Sequence, residues 1–106
     1  MNKNIINKLR ELKPILKEEY GLEEFALFGS QARGDYTKNS DVDIAIIKID
    51  KKEFAKRLLI KEFLEKQLNK KVDIGYFDSM KTFVQNQIKQ EIDMATLIHT
   101  KNIQIF

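Results

Sequence analysis

The chain has 106 residues, 33% of them charged, with a net charge of +3, one histidine and no cysteine. That length is expected to make a single domain over residues 1–106, with a modest core and no room for a second one. The absence of cysteine excludes disulfides, thiolate metal sites and cysteine nucleophiles. No apolar run approaches the ~20 residues of a membrane span. The polar start Met1-Asn2-Lys3-Asn4 does not read as a signal peptide, so a cytoplasmic protein with no membrane contact is expected. The lysines are scattered and read as solvated helix faces, not as a dedicated nucleic-acid groove.

In chain order, Ile5, Leu9, Leu12, Leu16 and Tyr20 mark a first helix over residues 3–20. Pro14 falls inside it and predicts a kink or two abutting helices; Gly21 is a natural stop. Residues 24–29 are a short apolar run, read as a buried strand. Residues 30–33 start a short helix with Ser30 as its N-cap, and 34–39 form a polar loop. Residues 42–49 are a second strand. A second long helix covers 51–69, with Asp50 as its cap and an apolar face of Phe54, Leu58, Leu59, Phe63, Leu64 and Leu68. Residues 72–77 are a third strand and 80–92 a helix. The tail 102–106 alternates. The alternation of helices and strands argues an α/β or α+β fold.

The chemistry concentrates between Phe28 and Ile44, in the run Phe28-Gly29-Ser30-Gln31-Ala32-Arg33-Gly34-Asp35-Tyr36-Thr37-Lys38-Asn39-Ser40-Asp41-Val42-Asp43-Ile44. Strand side chains alternate faces, so Asp41 and Asp43 project to the same side. Two carboxylates held this close repel unless a cation lies between them. All-oxygen ligation favours a hard ion such as Mg²⁺, which takes one or two protein carboxylates together with substrate phosphates. The Gly29-Ser30 turn offers backbone N–H groups and a hydroxyl without Cβ crowding, a candidate phosphate cradle. A metal pair beside such a turn suggests phosphoryl or nucleotidyl transfer. Further on, Asp73 is an isolated acid in an apolar run, where burial without a function is costly. Alternation puts Asp73, Gly75 and Phe77 on one face; if that is the face of Asp41 and Asp43, three carboxylates converge.

Gly-Ser-x-Ala-Arg-Gly followed by Ser-Asp-x-Asp resembles the signature of the minimal nucleotidyltransferases (MNT proteins) of the DNA polymerase beta nucleotidyltransferase superfamily. Gly29, Ser30, Ala32, Arg33, Gly34, Ser40, Asp41 and Asp43 all stand where that pattern wants them. The resemblance implies a mixed sheet of about four strands with helices packed on one face, the fourth a short strand at 95–100 that the tail 102–106 extends or pairs with. It implies Asp41, Asp43 and Asp73 as catalytic and metal-binding acids around two Mg²⁺ ions, with Asp73 activating the attacking hydroxyl. Gly29 and Ser30 resemble the triphosphate contacts, and the usual substrate of the family is ATP. Arg33 either meets a phosphate oxygen or pairs with Asp35. Ser40 either touches phosphate or only shapes the loop. Gln31 stands at a variable position and carries no assigned role, and His99 reads as structural.

The resemblance also implies a partner, a small helical HEPN ribonuclease toxin, in a homo- or hetero-oligomer. On that reading the chain is an antitoxin that transfers AMP from ATP to a tyrosine of the toxin. The alternatives are an antitoxin that masks its partner without chemistry and, more remotely, an aminoglycoside-type nucleotidyltransferase, which needs a drug-binding structure this chain lacks.

Overall fold

A computed structural model describes residues 3–86, 88–89 and 104–106. Helix α1 spans Lys3–Tyr20, strand β1 Leu22–Phe28, the short helix α2 Ser30–Arg33, strand β2 Val42–Ile49, helix α3 Phe54–Leu68 and strand β3 Val72–Tyr76. A single 3-10 turn, Phe77–Ser79, follows, then helical residues at 82–86 and 88–89, and strand β4 at Gln104–Ile105. The expected strand at 95–100 and His99 lie outside the described residues. Among the described residues no helix is long and apolar enough to cross a membrane.

The sheet has the order β3-β2-β1-β4 and is mixed, as expected. Strand β1 runs antiparallel to β2 and to β4, while β2 and β3 are parallel. A parallel pair needs a crossover, and α3 supplies it. Alternation along the strands sends Phe25 and Leu27, Val42, Ile44 and Ile46, and Val72 and Ile74 to one face, and a register irregularity around Glu24 lets Leu22 join them. There they meet Ile5, Ile6, Leu9, Leu12 and Leu16 of α1 and Ile60, Leu64 and Leu68 of α3. Both long helices thus cover one face. On the other face Ala26 and Ala45 meet Ile88, with Phe28, Ile47, Phe77, Met80 and Val84 around them.

Pro14 is accommodated inside one continuous helix. Helix α3 differs more from expectation. Its buried residues are Ile60, Leu64 and Leu68, whereas Phe54 and Leu59 are 71% and 52% exposed and Leu58 also faces solvent. Apolar residues occur all round this helix, so spacing alone does not choose its inward stripe. Asp50 is not its cap; Glu53 is, without a side-chain cap bond. Asp50 instead pairs with Lys56. The Lys56 ammonium, as a hydrogen-bond donor, holds the Asp50 carboxyl below its ordinary range, against a smaller opposing effect of desolvation.

The tail completes the sheet. Ala26 and Leu27 register with Ile105 and Gln104. Phe25 N–H donates to the Phe106 carbonyl (3.0 Å) and Phe106 N–H to the Phe25 carbonyl (2.8 Å). The Phe106 ring is buried and stacks on Phe25, centroids 5.0 Å apart.

Candidate active site

Strand β1 is buried and delivers the chain to Gly29 at its end. Gly29 adopts φ 74°, ψ −155°, a region open essentially to glycine alone. A Cβ built there would fall on the Asp43 carboxylate. The turn and the acid are therefore packed directly against one another. The N-cap of α2 is Gly29, not Ser30, and no side chain caps it. Helix α2 closes at Gly34, in the left-handed conformation, whose N–H donates to the Ser30 carbonyl at 2.9 Å. The Arg33 side chain lies outside the described part of the structure, so neither of its expected partners is addressed there.

The loop back to β2 is held by its own polar groups. Thr37 N–H donates to Ser40 Oγ (2.8 Å), Ser40 N–H to the Thr37 carbonyl (3.1 Å) and Asn39 N–H to Thr37 Oγ1 (3.3 Å). Of the two roles expected for Ser40, shaping the loop is the one seen in these bonds. Asp41 follows, exposed, just before β2; Asp43 is half-buried within it.

Asp73 stands directly beside Asp43. In the parallel pairing of β2 with β3 the two residues are register partners. Both alternate away from the α1/α3 side, so their side chains share the opposite face. Phe28, the residue before the glycine turn, is the partner of Asp43 on the other flank. Strand β3 is an edge strand whose outward backbone groups need partners. Helix α3 supplies them: Glu65 Oε2 accepts from Val72 N–H (3.0 Å) and Arg57 Nη1 donates to the Ile74 carbonyl (3.1 Å). These two bonds bracket Asp73. Its expected burial is not found, because it is exposed at the strand start.

Among the described residues no group of three histidine, cysteine, aspartate or glutamate side chains converges tightly enough to be recognised as a metal site. The donor chemistry nevertheless suits a hard divalent cation. Asp43 and Asp73 are adjacent carboxylates on one face, and Asp41 stands two residues before Asp43. Exposed acids beside an open turn also leave room for oxygens from a substrate.

Sequence reasoning assigned nothing to Gln31, yet it is the buried polar side chain among the described residues. Its Nε2 donates to the Ser40 carbonyl at 3.2 Å. The available signal was positional. A helix of four residues following a buried strand must turn a side chain inward, and Gln31 is an unusual choice for that place.

The pattern of a nucleotidyltransferase domain matches residues 9–94. The chain belongs to that family. It is 45% identical over 69 residues to MJ1379 of Methanocaldococcus jannaschii, provisionally named a protein adenylyltransferase, covering 62% of this chain and 68% of the relative. It is 31% identical over 80 residues to the protein adenylyltransferase MntA of Thermococcus cleftensis, covering 76% and 81%. It also superimposes on a chain of a toxin–antitoxin crystal structure with AMP-PNP, at a TM-score of 0.60 and 30% identity, over 85% of this chain and 68% of that one. The expected likeness to the minimal nucleotidyltransferases is borne out. Gly29-Ser30 and Asp41/Asp43, the residues that carry the sequence resemblance, lie together at one end of the sheet.

Proposed function

We propose that this nucleotidyltransferase moves AMP from ATP to a hydroxyl of a protein partner, a tyrosine of a helical HEPN toxin, and so acts as an antitoxin. The observation that carries the reading is the registry of Asp43 with Asp73 beside the Gly29 turn. It brings Asp43 and Asp73 together on one sheet face, with Gly29 packed against Asp43. The likeness to MntA and to a toxin–antitoxin structure with AMP-PNP supports the nucleotide and the partner class.

In the transfer, the acceptor hydroxyl oxygen forms a bond to the α-phosphorus of ATP. The bond from that phosphorus to the bridging oxygen breaks, and pyrophosphate leaves. The hydroxyl proton passes to the Asp73 carboxylate. Gly29 and Ser30 hold the triphosphate with backbone N–H groups and the Ser30 hydroxyl; Arg33 and Ser40 are further candidates for phosphate contact. Asp41, Asp43 and Asp73 would hold two Mg²⁺ ions, which supply charge neutralisation on the phosphates and a lower pKa for the attacking hydroxyl. The test is incubation of the chain and Mg·ATP with the HEPN protein, followed by mass spectrometry of that protein. A tyrosine carrying added AMP is expected. An unmodified partner that is still neutralised would sink the reading and leave masking in its place.

A further inference from the structure

Gln31 is completely buried, although it lies one residue beyond the Gly29-Ser30 turn in a helix of only four residues. Its amide spans nine residues of sequence to donate to the Ser40 carbonyl. Ser40 immediately precedes Asp41. One side chain thus joins the turn to the residue that launches the acidic pair.

The neighbouring bonds of the loop serve other ends. Those among Thr37, Asn39 and Ser40 are internal and set the loop's shape. Lys70 Nζ donates to the Lys38 carbonyl at 3.3 Å, but this bond is exposed and ties the loop toward β3, not toward Gly29. The Gln31 side chain is fully buried and Ser40 only partly, so this directional bond is better sheltered from water than the exposed ones. It can hold Ser40 in place where surface bonds cannot.

We propose that Gln31 is a positioning residue for nucleotide transfer. Through the Ser40 carbonyl it fixes the separation of the Gly29-Ser30 turn from Asp41, and a triphosphate with its cation must fit that separation. The inference rests on the nucleotidyl-transfer reading above. Gln31 acts through Ser40 and Asp41, without contact to the nucleotide. Small displacements of such groups are expensive: a shift of about 1 Å can reduce kcat/KM on the order of 100-fold.

The test replaces Gln31 by methionine, similar in length and volume but without the donor, and by leucine as a second variant. The first readout is amide hydrogen exchange on the protein without nucleotide. Gln31→Met should speed exchange at Thr37 and Ser40 by at least about tenfold, while Phe25 and Ile44 in the core strands keep their protection. The second readout is AMP transfer. The KM for Mg·ATP should rise by about tenfold or more. The kcat should fall far less, since Asp73 sits on β3, which Gln31 does not hold. Unchanged loop exchange, or a wild-type KM in a folded variant, overturns the proposal. So does failure of both variants to fold, which would make Gln31 a residue of core integrity. If the wild-type chain itself transfers nothing, the nucleotidyl reading fails, while the exchange data still judge the link from Gln31 to Ser40.

Discussion

Gly29 and Asp43 are fitted to one another: the glycine's backbone angles are closed to other residues, and the position its Cβ would take is held by the Asp43 carboxylate. The missing side chain therefore serves an acid of this chain as well as any phosphate. The turn and this carboxylate are packed as one unit, and a side chain added at Gly29 is felt by Asp43.

Replacing Gly29 with alanine should reveal both effects. The backbone conformation alone costs about 1–3 kcal/mol for a residue with a Cβ. The methyl group also displaces the Asp43 carboxylate. Thermal melting should show a lower Tm, and calorimetry should show Mg·ATP affinity reduced more than about tenfold, or ~1.4 kcal/mol. A variant that melts and binds like wild type would leave the glycine with neither role.

Local patterns made much of this site readable. Alternation put Asp41 and Asp43 on one side and Asp73 with Gly75, and β2 spans the residues expected of it. The pairing of Asp43 with Asp73 was only conditional in the sequence, because register between strands separated by a helix is a long-range property. The burial argument for Asp73 failed for the same reason: a strand's position at the sheet edge is not written in its own residues. The face expected of helix α3 was right at Leu64 and Leu68 but too wide: Phe54, Leu58 and Leu59 are as apolar as Ile60, which packs inward in their place. The tail was expected to extend or pair with a strand at 95–100, which lies outside the described residues; its pairing with β1 and the stacking of Phe106 on Phe25 needed the fold. Gln31 was invisible, since only the structure brings the Ser40 carbonyl to it.

The acidic pair should be separable from the fold. Asp41 is exposed and Asp43 half-buried, and neither belongs to the α1/α3 core. Asp41→Asn with Asp43→Asn should keep the circular dichroism spectrum of wild type. Calorimetry should find no Mg·ATP binding, because the charges that attract the cation are gone. Unaltered affinity in the double variant would remove both residues from the metal assignment.

The tail makes a stability prediction independent of the site. Phe106 is 6% exposed and bonded through its backbone to Phe25 in both directions. Truncating a buried phenylalanine to alanine typically costs about 3–5 kcal/mol. Phe106→Ala should therefore shift urea unfolding by an amount in the lower part of that range, because the residue ends a two-residue edge strand. A change below about 1 kcal/mol would place the ring outside the structural core.

The sharpest prediction concerns Asp73, because it separates an enzyme from a mask. Asp73 is exposed, bracketed by the Glu65 and Arg57 bonds to its neighbours' backbone, and itself makes no contribution to the α1/α3 core. Asp73→Asn should leave the strand in place. With Asp41, Asp43 and the Gly29-Ser30 turn intact, Mg·ATP should still bind substantially. Transfer should fall by about 100-fold or more, since a group that accepts the proton acts mainly in the transition state. One side chain in the site is a small part of a protein interface, so affinity for the HEPN partner should hold. Co-expression with the toxin then gives opposite results under the two hypotheses. If protection works by modification, Asp73→Asn binds the toxin and fails to protect, and mass spectrometry finds no AMP on its tyrosines. If protection works by masking, the variant protects as well as wild type. Full protection with unmodified tyrosines would overturn the enzymatic reading, whatever the variant's affinity for nucleotide.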